Sequence, residues 1–333
     1  MRPALFILAL LASGLLLAAA APQPAGTRAS GARWALAIHG GAGVIPKGMD
    51  PAKVKEYTDG LERALAAGQA VLAKGGTALD AVERVVRLLE EDAHFNAGKG
   101  AVYTHDGGHN LDAAIMDGRT LACGAVAGLT TVRNPISLAR LVMERTPHVF
   151  LAGEGAEEFA AAMQVERVAP TWFDTPERYR QWQEALEKER STQTPAEKEK
   201  GTVGAVALDL EGNLAAATSS GGMTNKRWGR IGDVPVIGAG TYASNSTCAV
   251  SCTGTGEEFI RHTVAYDIAA LIEYRGLSLQ DAAEEVVYRK LRKGDGGIIA
   301  VGAAGSIALV FNSEGMFRGA ADSGGRFEVH IWE

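Results

Sequence analysis

Segments that read as β-strands in this chain come in hairpin-like groups, with the long helical patterns gathered elsewhere, and the two do not alternate. Strand signals fall at Trp34–Ile38, Val203–Leu210, Asn213–Ser219, Gly297–Val301, Ser306–Phe311 and Phe327–Trp332. Glu211-Gly212-Asn213 reads as a short hairpin turn. Apolar residues recur at helical spacing over Pro51–Ala73, Ala78–Glu91, Pro135–Arg145, Gly256–Tyr274 and Leu279–Lys290. Thr77 is placed to cap the second of these helices, Pro135 suits a first turn, and Ser278 opens the last. Sheets packed on each other and covered by helices fit this order, so the fold class is α+β rather than a parallel Rossmann sheet. No G-x-G-x-x-G follows a strand and no G-x-x-x-x-G-K-[ST] occurs, so a nucleotide phosphate cradle has no support.

Composition narrows the function. Apolar residues make up 47% of the 333, enough to bury a full core and to exclude disorder. The net charge of -6 offers no basic face for nucleic acid. Three cysteines cannot form a disulfide framework. The 41 glycines are clustered rather than periodic, and read as tight turns and close backbone approaches.

The first residues look like a targeting segment. Met1-Arg2-Pro3 is followed by an apolar run from Ala4 to Ala21, which reads as a secretory signal peptide over residues 1–20. Ser13-Gly14 and the alanine-rich close favour cleavage over retention as a membrane anchor. Residues 21–33 read as a flexible leader, and the expected location is exported, periplasmic or secreted. A second low-complexity stretch, Glu184 to Lys200, is charged and without an apolar face, and is expected to be a mobile loop. It ends at Gly201-Thr202, directly before the β-rich run Val203–Leu208.

That junction bears on the chemistry. There is no G-x-S-x-G nucleophile elbow, and the seven histidines show no zinc-ligand spacing. Each histidine taken alone reads as structural or surface. A threonine becomes a competent nucleophile by a different route, in which its own α-amine serves as the adjacent base. An α-amine has a reference pKa of about 7.7–8.0, so near neutrality much of it can accept a proton. The peptide bond ahead of the threonine must first be broken, and Gly201-Thr202 offers such a bond.

From Thr202 the run T-V-G-A-V-A-L-D-L-E-G-N-L-A-A-A-T-S-S-G-G-M-T-N-K resembles the start of the β subunit of the plant-type asparaginases and isoaspartyl peptidases, threonine-type N-terminal nucleophile hydrolases. Ile38–Gly43, Phe95–Gly100, Leu111–Gly118, Gly128–Ala139 and Ser251–Glu257 resemble further blocks of that family, in order. The resemblance implies a four-layer αββα sandwich made as one precursor that cuts itself between Gly201 and Thr202. An α subunit (34–183), a linker (184–201) removed or frayed after the cut, and a β subunit (202–333) would build one domain. It implies Thr202 as nucleophile and amine base, with the Thr253 hydroxyl and the Gly254 N–H as oxyanion hole. Arg230 would hold a substrate α-carboxylate, while Asp233 and the Gly256 carbonyl would hold the α-ammonium. Asn96 would lie close to the nucleophile and Thr224 would help orient it. Arg230 and Asp233 have a logic of their own: they offer opposite charges, three residues apart, to a zwitterion linked through its side chain.

Where the family commonly reads A-T-S-T-G-G, this chain has Ser220 for the second threonine. The hydroxyl is kept but the methyl that restricts χ1 is lost, so slower self-cleavage is expected. The stretch Leu89 to Lys99 resembles the family's sodium loop, implying a structural ion held mostly by the backbone carbonyls of Leu89, Glu90, Asp92, Phe95, Ala97 and Lys99. No cofactor is expected for catalysis. The implied substrates are β-aspartyl dipeptides and L-asparagine, with release of L-aspartate, and the implied assembly is an (αβ)2 heterotetramer. Glycosylasparaginase is the alternative reading on the same scaffold. Cys248 and Cys252 are close enough in sequence to leave a link between them open.

Overall fold

The computed structural model describes residues 33–192 and 201–333. The expected signal peptide, nearly all of the leader and the last part of the linker lie outside these residues. The chain opens with β1 (Ala35–Gly43), then α1 (Pro51–Ala73) and α2 (Ala78–Glu91). A hairpin, β2 (Leu111–Asp117) and β3 (Cys123–Leu129), leads to α3 (Pro135–Arg145), β4 (Phe150–Ala152), α4 (Gly153–Ala162) and α5 (Pro176–Thr192). After Gly201-Thr202 come β5 (Val203–Leu208), β6 (Leu214–Ser220), β7 (Thr241–Ala243) and β8 (Cys248–Gly254). Helices α6 (Gly256–His262), α7 (Val264–Arg275) and α8 (Leu279–Glu284) follow. The chain closes with β9 (Gly296–Gly302), β10 (Ile307–Phe311), β11 (Gly315–Asp322) and β12 (Phe327–His330).

Two sheets result. Eight strands lie in the order β12-β11-β1-β5-β6-β2-β3-β4, and four in the order β10-β9-β8-β7. All pairs are antiparallel except β3 with β4. Strand alternation sorts the apolar side chains by face. Leu36 and Ile38 of β1, with Val203, Ala205 and Ala207 of β5, join a cluster containing Leu61 and Leu65 of α1 and Val82 and Val85 of α2. Their neighbours Ala35, Ala37, Val206 and Leu208 join a cluster with Ala249 of β8 and with Ile299 and Val301 of β9. Ile298 and Ala300 point the other way, onto Ile268 of α7, Ala282 of α8 and Val286 just after α8. The cluster shared by the two sheets is rich in alanine, which lets the sheets approach closely there.

Local signals account for the helix starts. Asp50 accepts from Ala52 N at 2.9 Å, Thr77 from Asp80 N at 3.1 Å and Ser278 from Asp281 N at 3.2 Å. The expected hairpin turn forms around Asp209, whose Oδ1 accepts from Glu211 N and Asn213 N at 3.0 and 2.9 Å.

Three expectations need correction. The charged stretch from Glu184 is helical as far as Thr192. Arg180 pairs with Glu177 and Glu184 one turn away on either side, and Trp182 stacks on Tyr103 with ring centroids 5.4 Å apart. A helix without an apolar buried face is thus held by ion pairs along its own surface, by the buried Arg178 donating to Gly100 O and His94 O, and by Tyr179 and Trp182 against Tyr103. The single helix expected over Gly256–Tyr274 is broken at Thr263, whose φ of 49° ends α6 and starts α7. The helix expected from Leu279 leaves the α form after Glu284 and runs as a π turn over Glu285–Lys290. Cys248 and Cys252 are both buried free thiols on one strand. Four strand residues span about 13 Å, beyond the Cα separation of about 7 Å that a disulfide tolerates. The two cannot be linked without breaking β8.

Gly68 marks the tightest seam between the first helices and the sheet. A Cβ there would lie 2.6 Å from Val85 Cγ2 and 2.7 Å from Leu36 Cδ2. Gly68→Ala gains helix propensity but overpacks α1 against α2 and β1. It is expected to lower stability by about 1–3 kcal/mol, read as a fall in Tm. An unchanged or higher Tm would contradict this reading of the seam.

Candidate active site

The site is assembled where strands from both sheets end. Thr202 directly precedes β5, whose first pair is Val203 with Ser219 of β6. Ser220, one residue on, pairs with Asp112 of β2. The antiparallel register therefore brings Thr202, Ser220 and Asp112 to one rim. From the opposite side comes the end of β1, which carries a register shift between His39 and Gly41. A bulge of this kind bends and re-aims the strand. Here it sets Gly41, at a φ of 121°, so that a Cβ would lie 3.1 Å from Gly201 Cα. Only glycine admits that approach.

The Gly201–Thr202 peptide is half-buried, with Thr202 buried and Gly201 partly exposed. The Gly201 carbonyl oxygen is surrounded by donors: Thr202 Oγ1 at 2.7 Å, Asn96 Nδ2 at 3.0 Å and Ser220 Oγ at 3.2 Å. Thr202 Oγ1 also lies 3.2 Å from Ser220 Oγ, which accepts from Gly222 N at 2.9 Å. The Asn96 amide is used in full. Its Nδ2 donates to Gly201 O and to Gly222 O (2.7 Å), and its Oδ1 accepts from Val102 N at 3.0 Å. That pattern fixes which end of the amide is which. Asn96 thus contacts the carbonyl ahead of Thr202, and no bond joins it to the Thr202 side chain.

Next to this bond is a narrow cleft lined by Asp112, Gly201, Thr202, Ser220, Gly222, Met223, Arg230, Gly232, Asp233, Val234 and Gly254. The two charges expected to meet a zwitterion face each other across Gly256, where a Cβ would lie 2.6 Å from Arg230 Nη2 and 2.8 Å from Asp233 Oδ1. Asp233 is fully buried. Desolvation pushes its carboxyl up to about 7, with Glu257 and Asp112 raising it further and Arg230 opposing. Its Oδ2 has no hydrogen-bond partner among the described residues.

Arg230 is not the free fork expected from sequence. Its Nε and Nη2 donate to the two carboxylate oxygens of Glu257 at 3.0 and 2.9 Å. Nη1 is turned towards Gly232, a lining residue of the cleft. A bound carboxylate therefore meets the guanidinium from the Nη1 side unless it displaces Glu257.

Thr253 and Gly254 stand at the end of β8. The Thr253 hydroxyl accepts from Ala42 N at 3.2 Å, tying it to β1. Gly254 has a φ of 153°, and a Cβ there would lie 2.0 Å from Asp295 O, so the position demands glycine. Thr224 is buried but does not reach Thr202. Its hydroxyl has no hydrogen-bond partner among the described residues, so the structure gives it no orienting contact.

Several residues of the site escaped the sequence reading. Asp112 is 2% exposed, accepts from Gly128 N at 2.9 Å, and is held above the usual carboxylate range by burial. Lys226 is buried nearby, donates to Asn110 O at 2.9 Å, and is pushed down by desolvation. The signal for Asp112 was an acid inside the apolar run L-D-A-A-I-M, at a position that alternation assigns to a buried face. His39 was set aside with the other histidines. It is fully buried, and its Nδ1 lies 2.9 Å from the carbonyl oxygen of Thr202.

Comparison with known proteins identifies the family. The asparaginase family matches residues 32–331. The isoaspartyl peptidase of Salmonella typhimurium is 56% identical over 292 residues, covering 85% of this chain and 93% of its own length. The isoaspartyl peptidase of Escherichia coli is 54% identical over 292 residues, covering 85% and 91%. The human isoaspartyl peptidase/L-asparaginase is 42% identical over 290 residues, covering 86% and 92%. With the family match spanning nearly all the described residues and relatives more than half identical over most of their length, the chain belongs to the asparaginase family.

Proposed function

We propose that this protein is a self-processing threonine amidohydrolase that cleaves β-aspartyl dipeptides and L-asparagine and releases L-aspartate. The observation that carries this reading is Thr202 Oγ1, 2.7 Å from the carbonyl oxygen of its own preceding peptide, beside a cleft lined by Arg230 and by two buried carboxylates, Asp112 and Asp233. In the first step the Thr202 hydroxyl attacks the Gly201 carbonyl carbon. Asn96 Nδ2 and Ser220 Oγ donate to the oxygen as it gains charge. The ester that forms is hydrolysed, and the Thr202 α-amine becomes available as a base next to Oγ1.

In turnover the freed amine takes the Oγ1 proton as the oxygen attacks the substrate's side-chain carbonyl. Thr253 and Gly254 form the oxyanion hole, each donor worth about 2.7–4 kcal/mol in a site of this type. Arg230 holds the α-carboxylate and Asp233 the α-ammonium, so any substrate must present a free α-amino acid linked through its side chain. The names of the relatives favour isoaspartyl peptides and asparagine over glycosylated asparagine.

The three apolar clusters, one on each outer sheet face and one between the sheets, favour a four-layer αββα arrangement. A structural sodium ion fits the loop after α2. There Gly98 and Gly100 let carbonyls crowd inward, with Glu90 O and Phe95 O only 2.3 and 2.1 Å from where a Cβ would stand. The Glu90 carboxylate is turned away, accepting from Ser219 Oγ, Asn134 Nδ2 and Ile136 N. Glu90 would therefore contribute only its carbonyl, as would Leu89, Asp92, Phe95, Ala97 and Lys99. The exported location rests on the Ala4–Ala21 run, and the (αβ)2 assembly on family membership.

Two experiments test the core of this proposal. Purified protein should run as two chains on a denaturing gel, the smaller beginning at Thr202 by N-terminal sequencing, and Thr202→Ala should stay one chain and hydrolyse no β-aspartyl-leucine. Turnover of β-aspartyl dipeptides by an uncut chain would overturn it. Ser220→Thr restores the stiff χ1 and is expected to speed self-cleavage several-fold, read as the rate of appearance of the smaller chain.

A second prediction concerns pH. The folded pKa of Asp233 lies above its unfolded value of 3.8, so folding favours the protonated form. The empty site is stabilising at low pH, and that contribution is lost as pH rises towards about 7. Substrate ammonium needs the ionised form, so 1/KM should rise as pH climbs to about 7. The rising limb of kcat instead follows the Thr202 amine. A KM that is flat from about pH 5.5 to 8.5 contradicts the role given to Asp233.

A further inference from the structure

Between the two sheets runs an unbroken chain of buried polar groups. His39 Nδ1 meets the Thr202 carbonyl oxygen at 2.9 Å, and its Nε2 meets Ser251 Oγ at 2.8 Å. Ser251 Oγ is 2.7 Å from Thr218 Oγ1, which lies 2.7 Å from Thr241 Oγ1. Thr241 Oγ1 is in turn 3.1 Å from the carbonyl oxygen of Val234, the residue after Asp233. His39, Thr218, Thr241 and Ser251 are all 0% exposed. These four side chains come from β1, β6, β7 and β8, two from each sheet.

Counting protons gives the chain a direction. The Thr202 carbonyl can only accept, so the imidazole proton is on Nδ1. Burial pushes the imidazole down to about 3, so the ring is neutral and Nε2 must accept from Ser251. Ser251 then accepts from Thr218, and Thr218 accepts from Thr241. The single Thr241 proton is shared between Thr218 Oγ1 and Val234 O, and the Thr218 proton has a second, longer acceptor in Gly240 O at 3.5 Å, so the slack lies towards the Asp233 end of the chain. The backbone has been shaped around this chain: a Cβ at Gly204 would lie 2.1 Å from Ser251 Oγ and 2.4 Å from His39 Nε2.

We infer that His39, Ser251, Thr218 and Thr241 form a positioning network that locks the nucleophile's own peptide to the loop that recognises the substrate α-ammonium. Once the bond to Gly201 is cut, Thr202 becomes a chain terminus, and termini fray unless tied down. The His39 bond to its carbonyl is the tie on the side facing the second sheet. The far end fixes the peptide next to Asp233, so both ends of the substrate are gauged by one buried chain. This inference rests on Thr202 being the nucleophile.

The test uses the full-length protein and four variants, each checked for an unchanged circular dichroism spectrum. Ser251→Ala leaves His39 Nε2 without its donor, and is expected to slow self-cleavage and lower kcat about tenfold with KM little changed. Thr241→Val removes the hydroxyl at the other end and is expected to raise KM for β-aspartyl dipeptides several-fold, while Thr241→Ser restores it. The double variant should lose less than the product of the single losses, because both act on one chain. Should Ser251→Ala not fold, His39→Asn keeps a donor for Thr202 O while losing the Ser251 contact, and should show the same kcat loss. Wild-type rates in the folded single variants, independent losses in the double, or no rescue by Thr241→Ser would overturn the network. An uncut, inactive wild type would instead overturn the functional reading along with it.

Discussion

The chemistry proposed for this molecule depends on holding the half-buried Gly201 carbonyl group against donors that cannot move away. A hydrogen bond to an oxygen gaining charge is worth most where water is excluded and the donor is already in place. Asn96 meets both conditions because all three of its amide contacts are satisfied at once, by Gly201 O, Gly222 O and Val102 N. Rotating the amide to relieve one contact would break the others. The same burial explains the glycines around it. A Cβ at Gly221 would lie 2.5 Å from Asn96 Oδ1, and at Gly41 it would press on Gly201. The Gly201–Thr202 peptide is hemmed in by glycine backbone because a side chain at Gly41 or Gly221 would press on it or on Asn96.

Enclosure has an electrostatic consequence. Asp112, Asp233 and Lys226 are each about nineteen-twentieths buried or more, and each is shifted towards its neutral form. An isolated buried charge is costly, and removing one partner of a buried set leaves that cost uncompensated. The cleft answers this by gathering both signs. Lys226 and Arg230 favour the Asp112 carboxylate, Arg230 favours that of Asp233, and Glu257 occupies one face of Arg230. A zwitterionic ligand fits such a site better than an ion of either sign, because it brings one charge for Asp233 and the other for Arg230. Glu257 engages the guanidinium through Nε and Nη2 and leaves Nη1 turned towards Gly232 of the cleft lining.

The parts of the fold legible in the sequence were those whose cause is local. Thr77 and Ser278 cap helices because a hydroxyl reaches a nearby N–H, and Asp209 folds the β5–β6 turn for the same kind of reason. Thr202, Arg230 and Asp233 were legible because ordered blocks of residues resemble a family. What could not be seen was whatever depends on distant pairing. His39 and Ser251 are 212 residues apart, and nothing near either one announces the other. The α5 helix was misread because an amphipathic pattern was sought where surface ion pairs, the buried Arg178 and two aromatic contacts with Tyr103 do the holding. Thr224 failed for the opposite reason: the resemblance placed it, but its hydroxyl makes no contact with Thr202.

The bulge in β1 shows how one strand serves both halves of the site. Before it, His39 pairs with Arg318 of β11 and with Gly204 of β5, and turns its ring into the space between the sheets. After it, Gly41 pairs with Phe317 and its backbone lies against Gly201. A regular strand would put residues 39 and 41 on the same face and pass Gly201 at ordinary pleat spacing. The extra residue, Gly40, rotates the strand so that one face grips the Thr202 carbonyl while the next backbone unit closes over the bond ahead of it. Gly40 tolerates this only because Phe95 takes the space a side chain would need, with its ring carbon 2.4 Å from where a Cβ would stand. The I-H-G-G-A-G segment is therefore less a flexible turn than a rigid step in a buried strand, and its glycines are dictated by what packs against them.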